Sequence, residues 1–135
     1  MTNTIMTATG TGISRIGQIA INAHDVERAA AFYQNALELK LLFKAPPGLA
    51  FFDCGGVRLM LGTASSAEYD HPSSILYFRI ADIQAGYQRL LESKVDIVAP
   101  PRLIAPMPTH DLWMTAFRDG EGNIHQLMSE VPRSV

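Results

Sequence analysis

The chain has 135 residues, 47% of them hydrophobic and 18% charged, with a formal net charge of −2. That composition excludes a disordered chain and the length suits one buried core; scattered Lys and Arg exclude a basic patch for nucleic acid. No apolar run reaches the ~18–20 residues that span a bilayer, and the lone Cys54 excludes an internal disulfide and fits a reducing cytoplasm.

Residues 1–12 are rich in Thr and Gly and lack the basic start and apolar stretch of a secretory signal, so they read as a flexible tail. A single domain is expected over residues 13–130, with a first module at 13–63, a linker at 64–73, a second module at 74–130 and a short tail at 131–135. Ile16 to Asn22 alternates as a half-buried strand does, with Ile19 and Ile21 on one face and Gln18, Ala20 and Asn22 on the other. Asp25 then stands where a helix N-cap belongs, before the helical spacing of Ala29, Phe32, Tyr33 and Leu37. Leu39 to Lys44 reads as a strand ended by Pro46-Pro47-Gly48. Leu49–Asp53 and Val57–Leu61 form a hairpin around Gly55-Gly56.

After the linker, Ser74 to Ile80 alternates again: Leu76, Phe78 and Ile80 share one face, Ile75, Tyr77 and Arg79 the other. Asp82 caps a helix from about Ile83 to Ser93. Val95–Val98 reads as a strand that the proline-rich stretch Pro100–Pro108 breaks up. Leu112–Arg118 and Asn123–Ser129 close the chain as a hairpin. Asp25 to Asp82 is a step of 57 residues and Asp53 to Asp119 a step of 66, each joining equivalent features. The pattern is therefore one unit used twice. It predicts an α+β fold of two tandem βαβββ modules whose curved mixed sheets surround a cleft, the natural place for a ligand.

Gln18-Ile19-Ala20-Ile21 before Asp25-Val26-Glu27-Arg28-Ala29, then Phe32-Tyr33 and Leu37-Glu38-Leu39, resembles the vicinal oxygen chelate superfamily, whose members include glyoxalase, bleomycin-resistance and extradiol dioxygenase proteins. Asp119-Gly120-Glu121-Gly122-Asn123 is similar to that family's closing turn, and the resemblance covers about Ile13 to Glu130. It implies a homodimer and, in metal-dependent members, a divalent ion held by two side chains from each half. The resemblance puts those positions at Gln18, Met60, Ile75 and Gln126, and the repeat steps pair Gln18 with Ile75 and Met60 with Gln126. Ile donates nothing, a thioether prefers soft ions, and two neutral amides hold a dication poorly. A metal-free cleft is expected, with no cofactor.

Other side chains suit chemistry there. His110 can move a proton near neutral pH, or bond loop backbone. Tyr77 can donate to a bound carbonyl or phenolate, or fill the cleft floor. Arg79 can pair with a carboxylate, or sit at the rim; Trp113 can stack on a flat ligand or pack. Gln18 and Gln126 need partners wherever they are buried. His125 alternates toward the helix side; His24 and His71 are expected in solvent, and Cys54 as an inert thiol. Phe51, Phe52, Trp113 and Tyr77 favour a partly aromatic or carbonyl-bearing small molecule as the partner. The alternatives are a metal-independent lyase or isomerase with His110 as general base, and a metal-dependent glyoxalase-type enzyme, against which the ligand inventory speaks.

Overall fold

The computed structural model describes residues 10–133. Residues 1–9 of the expected N-terminal tail and 134–135 of the C-terminal one lie outside the described residues. In chain order the elements are β1 (Gln18–Asn22), α1 (Val26–Asn35), β2 (Lys40–Ala45), β3 (Leu49–Cys54) and β4 (Val57–Gly62). A short 3₁₀ turn (Ala67–Tyr69) follows, then β5 (Tyr77–Arg79), α2 (Ile83–Glu92), β6 (Asp96–Pro106), β7 (His110–Arg118) and β8 (Ile124–Pro132). Two four-stranded sheets result, ordered β1-β4-β3-β2 and β5-β8-β7-β6. In each, the first strand runs parallel to the last and the other pairings are antiparallel. This is the predicted double βαβββ architecture, with sheets that do not close on each other.

Local chemistry sets the boundaries. Asp25 and Asp82 each accept a hydrogen bond on Oδ1 from the amide three residues on, both at 3.1 Å, and so satisfy a donor the first helical turn leaves free. Gly55 and Gly56 both have positive φ, 62° and 91°, which the tight hairpin between β3 and β4 demands. The strand expected over Ser74–Ile80 is confined to Tyr77–Arg79, and the last strand runs on to Pro132, into the expected C-terminal tail. A further expectation fails. Pro100 and Pro101 do not break the sixth strand, which continues to Pro106. β6 is an edge strand, so a proline's missing N–H removes no ladder bond on its outer side, and register shifts along β6 absorb the misfit.

Each helix covers one face of its own sheet. Ile21, Phe52, Leu59 and Leu61 are buried under α1, and Leu90, Phe117 and Leu127 form the corresponding cluster with α2. Burying side chains of this size stabilises by about 1.5–3 kcal/mol each. Gly86 lets α2 lie close to its sheet, since a Cβ there would stand 2.6 Å from Ile80 Cδ1. The halves meet through α1: Phe32 packs on Phe117 with ring centroids 6.2 Å apart, and Tyr33 reaches His125 and Asp119. The closing turn of the second half clasps the first. Glu121, with a side chain 3% exposed, accepts from the amides of His24 (2.7 Å) and Asp25 (3.2 Å) and from Arg28 (3.0 Å), placing a carboxylate at the start of α1.

Candidate functional site

Because side chains alternate across a strand, the register sorts every strand residue onto a helix-covered face or an open one. In the first half, Gln18 and Ala20 of β1, Arg58 and Met60 of β4, and Phe51 of β3 share the open face. Arg58 Nε donates to Gln18 Oε1 at 2.7 Å, and its guanidinium carbon lies 5.3 Å from the Phe51 ring centroid. Gln18 Nε2 meets Met60 Sδ at 3.6 Å, and Phe51 stacks on Phe43 with centroids 4.6 Å apart. A polar pair thus stands on an aromatic floor, with the charge of Arg58 held by the amide and the ring.

In the second half, Tyr77 and Arg79 of β5 sit beside Gln126 and Met128 of β8, and Met114 and Leu112 of β7 continue the face opposite Met128 and Glu130. Arg79 forms an ion pair with Glu130, whose other oxygen is 4.0 Å from His110 Nε2. Thr109 Oγ1 lies 3.2 Å from His110 Nδ1. Gln126 Oε1 is buried and has no hydrogen-bond partner among the described residues. Asp111, next to His110, is engaged by Arg133 instead.

The predicted residues are therefore sorted into groups. Gln18 and Met60 touch; Tyr77 and Gln126 are neighbours on the other sheet, and Ile75 lies two residues before β5, with Ile75 and Tyr77 about half exposed (48% and 49%). His110 and Arg79, unconnected in sequence, are joined through Glu130. Trp113 lies on the reverse face of β7, where it lines a cleft together with Ala81, Ile83 and Gln84 at the start of α2, away from Tyr77 and Gln126. Phe52 is fully buried on the helix side and is not part of the open face. His125 is likewise buried there, and desolvation lowers its pKa from the ordinary 6.5 to about 4. Burial raises the Cys54 thiol pKa, which keeps it protonated. Arg58 and Glu130 were missed. Both were legible by alternation, two residues from Met60 and four from Gln126, on the same faces.

The four positions that hold an ion in metal-dependent relatives do not suit one here. Gln18 has given its oxygen to a cation, Ile75 has no donor atom, and no three His, Cys, Asp or Glu side chains converge to hold a metal among the described residues.

With this geometry in hand, comparison with known proteins defines the class. The sequence profile of the Glyoxalase/Bleomycin resistance protein/Dioxygenase superfamily matches residues 15–127, and the chain belongs to that superfamily. No curated protein matches the sequence. Among solved structures, lactoylglutathione lyase from Agrobacterium tumefaciens is 21% identical with a TM-score of 0.63, over 87% of this chain and 94% of that one. The fosfomycin resistance protein FosX from Listeria monocytogenes is 18% identical with a TM-score of 0.69, over 89% and 94%. TioX from Micromonospora sp. is 18% identical with a TM-score of 0.69, over 87% and 100%. At these identities the likeness is one of fold.

Proposed function

We propose that the protein binds a small, partly aromatic or carbonyl-bearing molecule on its open sheet faces without a metal ion. The observation that carries this reading is the Arg58–Gln18 pair over Phe51. A guanidinium is bound to Gln18, one of the positions that the resemblance gives to a metal ligand. Among the described residues its outer N–H groups have no partner and can meet a ligand oxygen, while Phe43, 49% exposed and stacked on the buried Phe51, offers an aromatic surface to a flat body. A second copy of the chain is the partner we infer: Phe43, Ile75, Tyr77, Leu103 and Ile104 are all more than 40% exposed, an apolar extent that favours self-association. Among the described residues no helix is long and apolar enough to cross a membrane, in keeping with a cytoplasmic small-molecule binder.

The row Arg79–Glu130–His110 supports a second reading, a metal-independent lyase or isomerase with His110 as base, Glu130 orienting it and Tyr77 donating to a developing enolate. Elemental analysis of the purified protein tests the first reading; stoichiometric zinc, nickel or iron would overturn it. Thermal-shift screening against small aromatic carbonyl compounds should give hits that Arg58→Met weakens. For the second reading, His110→Ala should abolish turnover while retaining affinity, and unchanged turnover removes His110 from the mechanism.

A further inference from the structure

We propose that the ligand site extends into a second compartment, under the linker between the two halves, that takes an uncharged apolar group. This rests on the reading that the open face of the first half binds a small molecule. Ala20, Leu49 and Met60 floor a cavity of about 380 Å³, and Tyr69, His71 and Ser73 of the linker form its outer side. That volume is at the lower end of small-molecule pockets. Among the described residues no Asp, Glu, Lys or Arg lines it. An ion placed there would lose hydration without gaining a counter-charge, so the occupant is neutral.

The outer wall is fastened. Asn22 Nδ2 and His24 Nε2 reach Asp70 Oδ1 at 2.9 and 2.7 Å, Ser73 N donates to Asn123 Oδ1 at 2.8 Å, and Thr63 Oγ1 donates to Ala23 O at 3.1 Å. The linker is thus tied down along its length while the space beneath it is left unfilled. The floor is kept low by small residues: Ala20 stands beside Met60, and Leu49 leans onto the bare backbone of Gly62, where a Cβ would come within 2.8 Å of Leu49 Cδ2. Met60 joins the two compartments. Its sulfur touches Gln18 in the polar pair, and its side chain lines the cavity. A ligand whose oxygen-bearing head meets Arg58 and Gln18 therefore runs past a polarisable thioether, which suits an aromatic or aliphatic body, into the cavity.

The test uses the full chain and the neutral fluorescent probe N-phenyl-1-naphthylamine, which has the apolar body and lacks the oxygen head. Saturable binding with one probe per chain is expected, and Ala20→Leu, which fills the floor from an exposed position, should weaken it about tenfold or more. Near-UV circular dichroism checks that the variant keeps its native packing; should it not fold, Tyr69→Ala on the exposed linker takes its place, with an expected loss of about fivefold. Saturable binding that the folded variant leaves untouched overturns the compartment but spares the open-face reading. Absence of saturable binding to the wild type overturns the compartment alone, because the probe lacks the oxygen head; the open-face reading falls separately, if Arg58→Met leaves the thermal shifts of aromatic carbonyl ligands unchanged.

Discussion

Replacing Tyr33 by Phe removes one hydroxyl from the boundary between the two halves. That hydroxyl donates to Asp119 Oδ2 at 2.6 Å and lies 3.0 Å from His125 Nε2. Leu76 N donates to His125 Nδ1 at 3.2 Å, so Nδ1 is the acceptor, the ring proton is on Nε2, and the imidazole donates to the tyrosine oxygen. Burial, then the charge of Asp119, pushes the phenol pKa far above its ordinary range and keeps the donor proton in place. In Tyr33→Phe, Asp119 retains bonds from Glu121 N (2.8 Å), Asn123 N (3.1 Å) and Asn123 Nδ2 (2.7 Å), so the turn itself survives. What is lost is a hydrogen bond to a charged acceptor, about 1.5–3 kcal/mol, and the partner of a buried imidazole N–H, about 1–3 kcal/mol. The two terms share one oxygen and overlap, so the expected destabilisation is about 3 kcal/mol. Urea unfolding followed by circular dichroism should show the midpoint falling by about 1.5–2 M at an unchanged m-value. A loss under about 1 kcal/mol would refute the claim that this network joins the modules.

Three further outcomes are expected. His125, whose pKa of about 4 lies below its ordinary 6.5, contributes stability that is full above 6.5 and lost as pH falls through the folded value. Between pH 8 and 4.5 the protein should therefore lose about 2–3 kcal/mol through this group, and His125→Leu, though weaker at neutral pH, should show a shallower acid slope in urea titrations; equal slopes would rule the residue out. The linker fastening has a pH window of its own. His24 has its pKa raised, chiefly by the bond to Asp70, so its contribution is present below 6.5 and lost as pH rises through the raised value; Asp70 has its pKa lowered, chiefly by Asn22 and then His24, so its share is lost only below 3.8. Amide exchange at Asp70 and His71 should thus be slowed most relative to Asp70→Asn near pH 5–6, and an equal rate in both proteins at that pH would count against the fastening. Lys94, the residue after the α2 C-cap Ser93, has a positive φ of 58°. Lys94→Gly should relieve that strain and stabilise by about 0.5–1 kcal/mol, read as a higher melting temperature, and a drop would show that the side chain matters more than the backbone.

What the chain declared on its own was local or periodic. Asp25 and Asp82 announced two helices because a cap needs only an amide three residues away. Gly55-Gly56 announced a hairpin because two consecutive positive φ angles leave few other residues, and alternation put Tyr77 and Arg79 on one face. Placement in the tertiary fold decided the rest. That Pro100 and Pro101 could stay in a strand depended on β6 lying at a sheet edge, and that Trp113 turned toward α2 depended on which face of β7 the helix covered. The choice of Arg58 for Gln18, of Glu130 for Arg79 and His110, and of Asp119 for Tyr33 joins residues 40, 51, 20 and 86 positions apart. Partner choice at such separations is set by sheet order and by what remains unsatisfied once the core has closed, and short-range sequence patterns carry neither.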